Sequence, residues 1–160
     1  MSVTRAAGGI ALWLTALGCA GDGARCGPRE AVVDRVIDGD TIVAGGRTIR
    51  YLLVDAPEIT DGHTDCYGDN AAQFNADLVL GKTIELDYDT ACEDRFGRTL
   101  AYVRVAGRDV SRLLVERGYA CVLHIPPDGD DRADEFAAMQ AAARTARRGL
   151  WGACDPTPCR

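Results

Sequence analysis

Three short segments carry charged side chains that neither strand alternation nor turn formation requires. The first is RVIDGDTIV, Arg35 to Val43, where Asp38 and Asp40 flank a glycine inside an otherwise apolar strand pattern. The second is RYLLVDAPE, with Arg50, Asp55 and Glu58, and the third is DRFGR, with Arg95 and Arg98. Carboxylates in a strand are costly unless charge or hydrogen bonds compensate them. Aspartate oxygens together with backbone carbonyls suit a hard cation such as Ca²⁺. Two guanidinium groups can clamp an oxyanion such as phosphate and stabilise charge that develops on it. A further carboxylate can orient or deprotonate water. Taken singly, each segment has a plainer reading: DGD is a turn, Asp55 to Glu58 is a strand exit at Pro57, and Asp94 with Arg98 is an exposed ion pair worth little. Acids and arginines crowded at successive strand ends favour a joint role.

The elements that must position these groups are short strands followed by helices. Glu30 to Val54 is rich in β-branched residues, and Gly45-Gly46 marks a tight hairpin turn. Asp38-Gly39 is a second turn signal six residues earlier, too close for two hairpins, so a bend or bulge is expected at Asp38–Asp40. NAAQFNADLVLG predicts a helix stopped by Gly81, with Ala72, Phe74, Leu78 and Val79 as its apolar residues. KTIELDYDT and TLAYVRVAG predict strands around a cysteine-bearing turn. RDVSRLLVERG and RADEFAAMQAAARTARRG predict two more helices, with the short apolar stretch YACVLHI between them. Short antiparallel strands with helices at the edges predict an α+β fold built on a small barrel. Strict alternation puts Arg50 and Asp55 on opposite faces, so the strand must bend, and the turn toward Pro57 is the expected place.

The 160 residues suffice for one domain with a real core. Residues 1–19 read as a secretory signal: Arg5, then an apolar run of 12 residues from Ala6 to Leu17, too short to span a membrane, then small residues. The signal ends in ALGC, which resembles a bacterial lipobox with Ala16 where leucine is usual, so Cys19 is a candidate lipid anchor. Ordinary cleavage between about Gly18 and Ala24 is the alternative, giving a freely secreted protein. Residues 20–30 read as a linker, 31–152 as the domain, and 153–160 as a cysteine-containing tail. Setting Cys19 aside leaves six of the seven cysteines, an even number that predicts three disulfides in an oxidising compartment. Zinc is disfavoured, since there is no CxxC and His63 and His124 lie far from any cysteine pair. The net charge of −6 becomes −7 once the signal is removed, with 17 basic against 24 acidic residues. Such a chain binds a polyanion weakly over its surface, so its affinity must be concentrated at one salt-sensitive site.

VIDGDT, RYLLVDAPE and DRFGRTLAYV, in this order and at these spacings, resemble the staphylococcal nuclease (thermonuclease) family. GYACV and GLWG extend the likeness, which runs from about Val32 to Trp151. The resemblance implies a five-stranded OB-fold β-barrel with three α-helices. It implies a monomeric enzyme that cleaves DNA and RNA with one Ca²⁺ and leaves 3′-phosphate ends. Asp40, Asp55 and the backbone carbonyl of Ala56 match the Ca²⁺ ligands, and Asp38 matches a supporting acid. Glu58 matches the proposed general base, and Arg50 and Arg98 match the phosphate-binding arginines. Phe96 stands where a phosphate-contacting tyrosine is often found, beside Arg95. His124 falls near a base-stacking tyrosine. The lysine-rich loop of the family is replaced by the acidic ITDGHTDC.

If the loops of Cys66 and Cys92 both border that site, they would pair with each other. The expectation is then Cys121 with Cys154 and Cys26 with Cys159. A non-catalytic nucleic-acid or protein binding module on the same barrel is the alternative function, but it has no need of the full set of acids and arginines. A Ca²⁺-stabilised envelope domain is weaker, because Arg132 and Ala133 break the EF-hand pattern in DGDDRADE.

Overall fold

A computed structural model describes residues 25–60 and 62–159. The signal segment, the Cys19 anchor site and residues 20–24 of the linker lie outside the described residues. The elements are β1 (Glu30–Val36), β2 (Thr41–Ala44), β3 (Arg47–Tyr51), β4 (Val54–Asp55), β5 (Ile59–Thr60) and β6 (His63–Thr64). Then come α1 (Gly68–Val79), β7 (Thr83–Asp87), β8 (Thr99–Val105), β9 (Arg108–Asp109), α2 (Val110–Arg117), β10 (Cys121–Val122), α3 (Ala133–Thr145) and the single turn α4 (Leu150–Ala153).

Strands pair in the order β3-β2-β1-β7-β8-β9, and β8 closes back on β3 in parallel. Five strands therefore form a mixed barrel carrying three helices, the α+β, OB-type architecture expected. The interior is aliphatic: Val33, Ile42, Ile49, Ile84, Leu86 and Val103 are essentially inaccessible, and Leu114 of α2 and Phe136 of α3 join the same core. Each such side chain contributes about 1.5–3 kcal/mol by leaving water. Among the described residues no helix is long and apolar enough to cross a membrane.

The two turns at residues 38 and 45 both close hairpins, against the expectation that only one would. β1 pairs with β2 (Val36↔Ile42), and β2 pairs with β3 (Ala44↔Arg47). Four residues suffice for β2 because the irregularity moves upstream: the β1–β2 register slips by one residue between Val33 and Arg35. Gly45 and Gly46 have φ of 56° and 75°, the left-handed pair of a two-residue hairpin turn. Gly39 does something different. A Cβ there would lie 2.5 Å from Ala56 Cβ and 2.8 Å from Ala71 Cβ, so glycine lets α1 and the segment after β4 close on the aspartate turn.

The bend that reconciles Arg50 with Asp55 lies earlier than expected. β3 ends at Tyr51, and the chain turns at Leu52–Leu53, with Leu53 at φ 64°. Leu53 packs against Gly129, where a Cβ would come within 2.5 Å of Leu53 Cδ2. Pro57 is buried just beyond the break and does not make it.

Three disulfides form as predicted, but none of the expected pairings does. They are Cys26–Cys92, Cys66–Cys154 and Cys121–Cys159, with Cα separations of 4.9, 5.9 and 5.6 Å. Cys92 meets Cys26 because the chain before β1 runs beside the chain after β7: Leu86 N–H donates to Arg29 O, and the Tyr88 hydroxyl donates to Pro28 O. The LWG segment does pack at Cys121, in one cluster with Leu150 and Cys154. There α4 delivers Cys154 to Cys66 ahead of α1, and the tail continues until Cys159 reaches Cys121. Disulfides in this number belong to an oxidising compartment.

Candidate active site

The barrel closure sets the site. The β2–β3 hairpin places Thr41 opposite Arg50, and Tyr51 N–H donates to Asp40 O at 2.9 Å, so Asp40 and Arg50 are neighbours across the pair. The parallel β3–β8 pairing sets Arg50 beside Leu100, two residues past Arg98. The break at Leu52–Leu53 lets β4 pair with β10 (Asp55↔Cys121) and turns Asp55 back toward Arg50.

Arg50 is the hub. Its Nη1 lies 2.5 Å from Asp40 Oδ2 and donates to Val54 O at 2.9 Å, while Nη2 donates to Asp55 Oδ1 at 2.8 Å. The side chains of Arg50 and Asp40 are only 10% and 5% exposed, so this is a buried pair. Asp40 also accepts from Ala56 N–H (2.5 Å) and from the Thr41 hydroxyl (3.0 Å). Asp38 sits one step back and accepts from Asp40 N–H at 3.0 Å. Its carbonyl accepts from Asn75 Nδ2, and Asn75 Oδ1 accepts from the Tyr51 hydroxyl, both at 3.0 Å. Asn75 and Tyr51 were not anticipated. The signal available was a polar residue at the buried spacing of Ala71, Leu78 and Val79 on α1.

Arg98 comes from a turn organised by Asp94. Asp94 Oδ1 accepts from the backbone N–H groups of Phe96 (2.8 Å) and Arg98 (3.0 Å), and Oδ2 accepts from Arg98 Nε at 2.7 Å. Burial opposes ionisation of Asp94, yet these bonds outweigh it and hold its carboxyl below the usual range. What reads in sequence as a surface ion pair is the brace of the loop, and the terminal nitrogens of the Arg98 fork take no part in it.

Arg50, Asp55, Glu58, Arg95, Phe96 and Arg98 line one cavity of about 600 Å³, a usual size for a ligand site. Asp40, Ala56 and Asp38 stand behind its wall, coupled to it through Arg50. His124 is not in the lining; its Nε2 lies 2.8 Å from Asp130 Oδ1. From that segment the lining takes Leu123 and Ile125, apolar side chains 38% and 64% exposed. Phe96 is 67% exposed, with the Arg95 guanidinium 4.7 Å from its ring centre and that of Arg98 at 5.4 Å.

The charge balance of this wall is acidic. Asp55, Glu58, Glu93, Asp94 and Asp128 face three arginines in the lining. Burial raises the Glu58 carboxyl above its usual range, Asp38 and Asp55 raise it further, and Arg50 and Arg98 pull against them. Burial pushes Asp40 up to about 8; Arg50 draws it back, Asp38 adds to the rise, and the Ala56 and Thr41 hydrogen bonds oppose it. Among the described residues no three His, Cys, Asp or Glu side chains gather as a self-sufficient metal cage. The donors do fit a hard cation completed by carbonyl, water or substrate oxygens. Asp40 and Asp55 already converge on one positive group, and Asp40 is buried deeply enough that added positive charge is needed to keep it ionised.

Comparison with known proteins bears on this arrangement directly. The family model described as "Staphylococcal nuclease homologue" matches residues 48–153. The chain belongs to the staphylococcal nuclease family. It is 36% identical over 130 residues to Endonuclease YncB of Bacillus subtilis (strain 168), an overlap that takes in 76% of this chain and 61% of that one. It is 30% identical over 125 residues to the Thermonuclease of Staphylococcus hyicus, over 74% of this chain and 73% of that one. The chain spans 61%, 44% and 12% of the length of three Bacillus subtilis endonucleases that it matches. The staphylococcal nuclease match takes in Arg50, Asp55, Ala56, Glu58, Arg95, Phe96, Arg98 and His124, while Asp38 and Asp40 precede it.

Proposed function

We propose that this chain is an exported nuclease that hydrolyses phosphodiester bonds of DNA, RNA or both, with Ca²⁺ as its metal and 3′-phosphate ends as its products. The observation that carries the proposal is a single cavity whose lining holds Glu58 together with Arg50, Asp55 and Arg98. Arg98 and Arg50 bind the non-bridging oxygens of the scissile phosphate and stabilise the charge that grows on them. Glu58 holds the attacking water and takes its proton as the water oxygen bonds to phosphorus and the P–O5′ bond breaks, the 5′ oxygen leaving with a proton from solvent; a carboxyl raised above its usual range suits this task. Asp40, Asp55 and the Ala56 carbonyl would hold the cation, with Asp38 keeping the turn of Asp40 in place. When bound, the cation supplies positive charge beside the phosphate. It also offsets the acidic wall, which would otherwise repel a polyanion. Arg95 and Phe96 contact the strand at the cavity mouth, and His124 contacts it outside the cavity.

The deciding experiment is cleavage of single-stranded DNA, double-stranded DNA and RNA by the purified protein, with Ca²⁺ and with a chelator. Cleavage that needs Ca²⁺ and leaves phosphate on the 3′ end is expected. Cleavage of none of the three substrates would overturn the proposal.

The raised carboxyls also set a pH dependence for the metal-free protein. Asp40 goes from an ordinary 3.8 to about 8 on folding, so the folded state holds that proton more tightly. This contribution to stability is complete below the ordinary value and is lost as pH rises through about 8; Glu58 acts in the same direction. In chelator, Tm is expected to fall between about pH 5 and pH 8, and added Ca²⁺ to reduce that fall. A metal-free Tm that rises over this range would contradict the assignment.

A further inference from the structure

Glu58 follows Pro57 and begins a small excursion from the barrel. β5 and β6 form a hairpin only two residues deep (Ile59↔Thr64, Thr60↔His63), and a two-stranded ribbon of that size does not hold itself together in water. Its far end returns to where it began. Asp65 N–H donates to Glu58 O at 2.9 Å, and Asp65 Oδ2 accepts from Glu58 N–H at 3.3 Å. Both backbone polar groups of Glu58 are thus engaged by one residue. Gly68 at the start of α1 presses on the same point: its N–H donates to Asp65 O at 2.9 Å, and a Cβ there would lie 3.1 Å from Glu58 O. The next residue after Asp65 is Cys66, bonded to Cys154 across a sequence separation of 88. Cys154 ends α4, which is itself fixed by the inaccessible Leu150 and by Leu150 N–H donating to Gly118 O at 2.8 Å.

We propose that Asp65 and the Cys66–Cys154 disulfide are the positioning elements for Glu58: Asp65 clamps its backbone and the disulfide ties that clamp to the C-terminal helix. The proposal rests on the reading of Glu58 as the general base. Neither residue touches the reacting atoms. They act by fixing where the Glu58 carboxylate stands, and a displacement of about 1 Å in such a group can cost on the order of a hundredfold in rate.

The test compares Asp65→Ala, Asp65→Asn and the double variant Cys66→Ala/Cys154→Ala with the wild type in full-length oxidised protein. Turnover is measured on single-stranded DNA with Ca²⁺, and amide hydrogen exchange is followed over residues 58–66 and over the barrel strands. Asp65→Ala and the cysteine pair are expected to lower kcat about tenfold or more, with KM within about twofold. Exchange should accelerate in 58–66 only, while β1–β3, β7 and β8 stay protected. Asp65→Asn keeps an acceptor oxygen and should restore most of the loss. Wild-type kcat in both Asp65→Ala and the cysteine pair overturns the proposal, as does unchanged exchange in 58–66 or a loss expressed in KM alone. Should the cysteine pair lose barrel protection, the contrast between alanine and asparagine at Asp65 decides. A wild type without nuclease activity overturns the functional reading, and then exchange alone decides whether Asp65 and the disulfide hold the loop.

Discussion

Glu58→Ala is expected to lower turnover at least about a hundredfold, equivalent to about 2.7 kcal/mol of transition-state stabilisation, in a protein that still folds. The fold should survive because Glu58 is exposed at the cavity and lies outside the barrel core. Arg98→Ala should cost as much for a different reason: it removes the fork proposed to bind the developing oxyanion. Its loop should persist, because Asp94 still accepts from the backbone N–H groups of Phe96 and Arg98. Glu58→Gln separates the proton from the shape. It keeps the size of the side chain but cannot accept a proton, so it should be nearly as impaired as Glu58→Ala. Steady-state kinetics with a thermal melt on each variant checks all three. Near-normal turnover in folded Glu58→Ala or Arg98→Ala would remove that residue from the mechanism.

Arg50→Met is expected to be the most destabilising of the site substitutions above about pH 8, by about 3–5 kcal/mol, because Asp40 is ionised there and the change leaves a buried carboxylate without its partner. The guanidinium serves Asp40, Asp55 and Val54 O together. Methionine fills similar space and satisfies none of them. Arg50→Lys keeps the charge but not the planar fork, so it should recover only part of the loss. Denaturant unfolding in chelator at about pH 9, where Asp40 has lost its proton, measures the cost. Added Ca²⁺ should stabilise Arg50→Met more than the wild type, because the cation would then supply the positive charge beside Asp40 that Arg50 no longer does. A loss below about 1 kcal/mol for Arg50→Met would mean that Asp40 is neutral in the folded protein and that the pair contributes little.

Much of this architecture can be read directly from residue types. β7 alternates buried Ile84 and Leu86 with exposed neighbours, and α2 is bounded by Asp109, whose side chain accepts from Arg112 N–H, and by Gly118 in the left-handed region. Such local signals survive folding because the same residues that create them also satisfy the backbone. The misreadings share a cause, which is that the deciding contact comes from far along the chain. Gly39 reads as a flexible turn glycine, yet its role is set by Ala56 and Ala71, which no local pattern reveals. The bend at Leu53 depends on Gly129. The cysteine pairing follows from which chain ends run beside which loops, and spacing carries none of that. In the sequence His124 reads as a ring that stacks at the cavity. A short extended segment alternates its faces, and the lining holds its neighbours Leu123 and Ile125.

The disulfides also impose an order in time. Each joins a segment beside the site to a residue near one end of the described chain: Cys92 to Cys26, Cys66 to Cys154, and Cys121 to Cys159. As the chain enters an oxidising compartment from its N-terminus, the Arg98 loop can be tied as soon as Cys92 arrives, because Cys26 is already there. The Glu58 loop and the strand opposite Asp55 must wait for Cys154 and Cys159, which lie 88 and 38 residues after their partners Cys66 and Cys121. An incomplete chain can therefore have its barrel strands, Arg50 and Arg98 in place while the walls that carry Glu58 and Asp55 are still untied. Cys154 and Cys159, made after every barrel strand, are the residues that complete them.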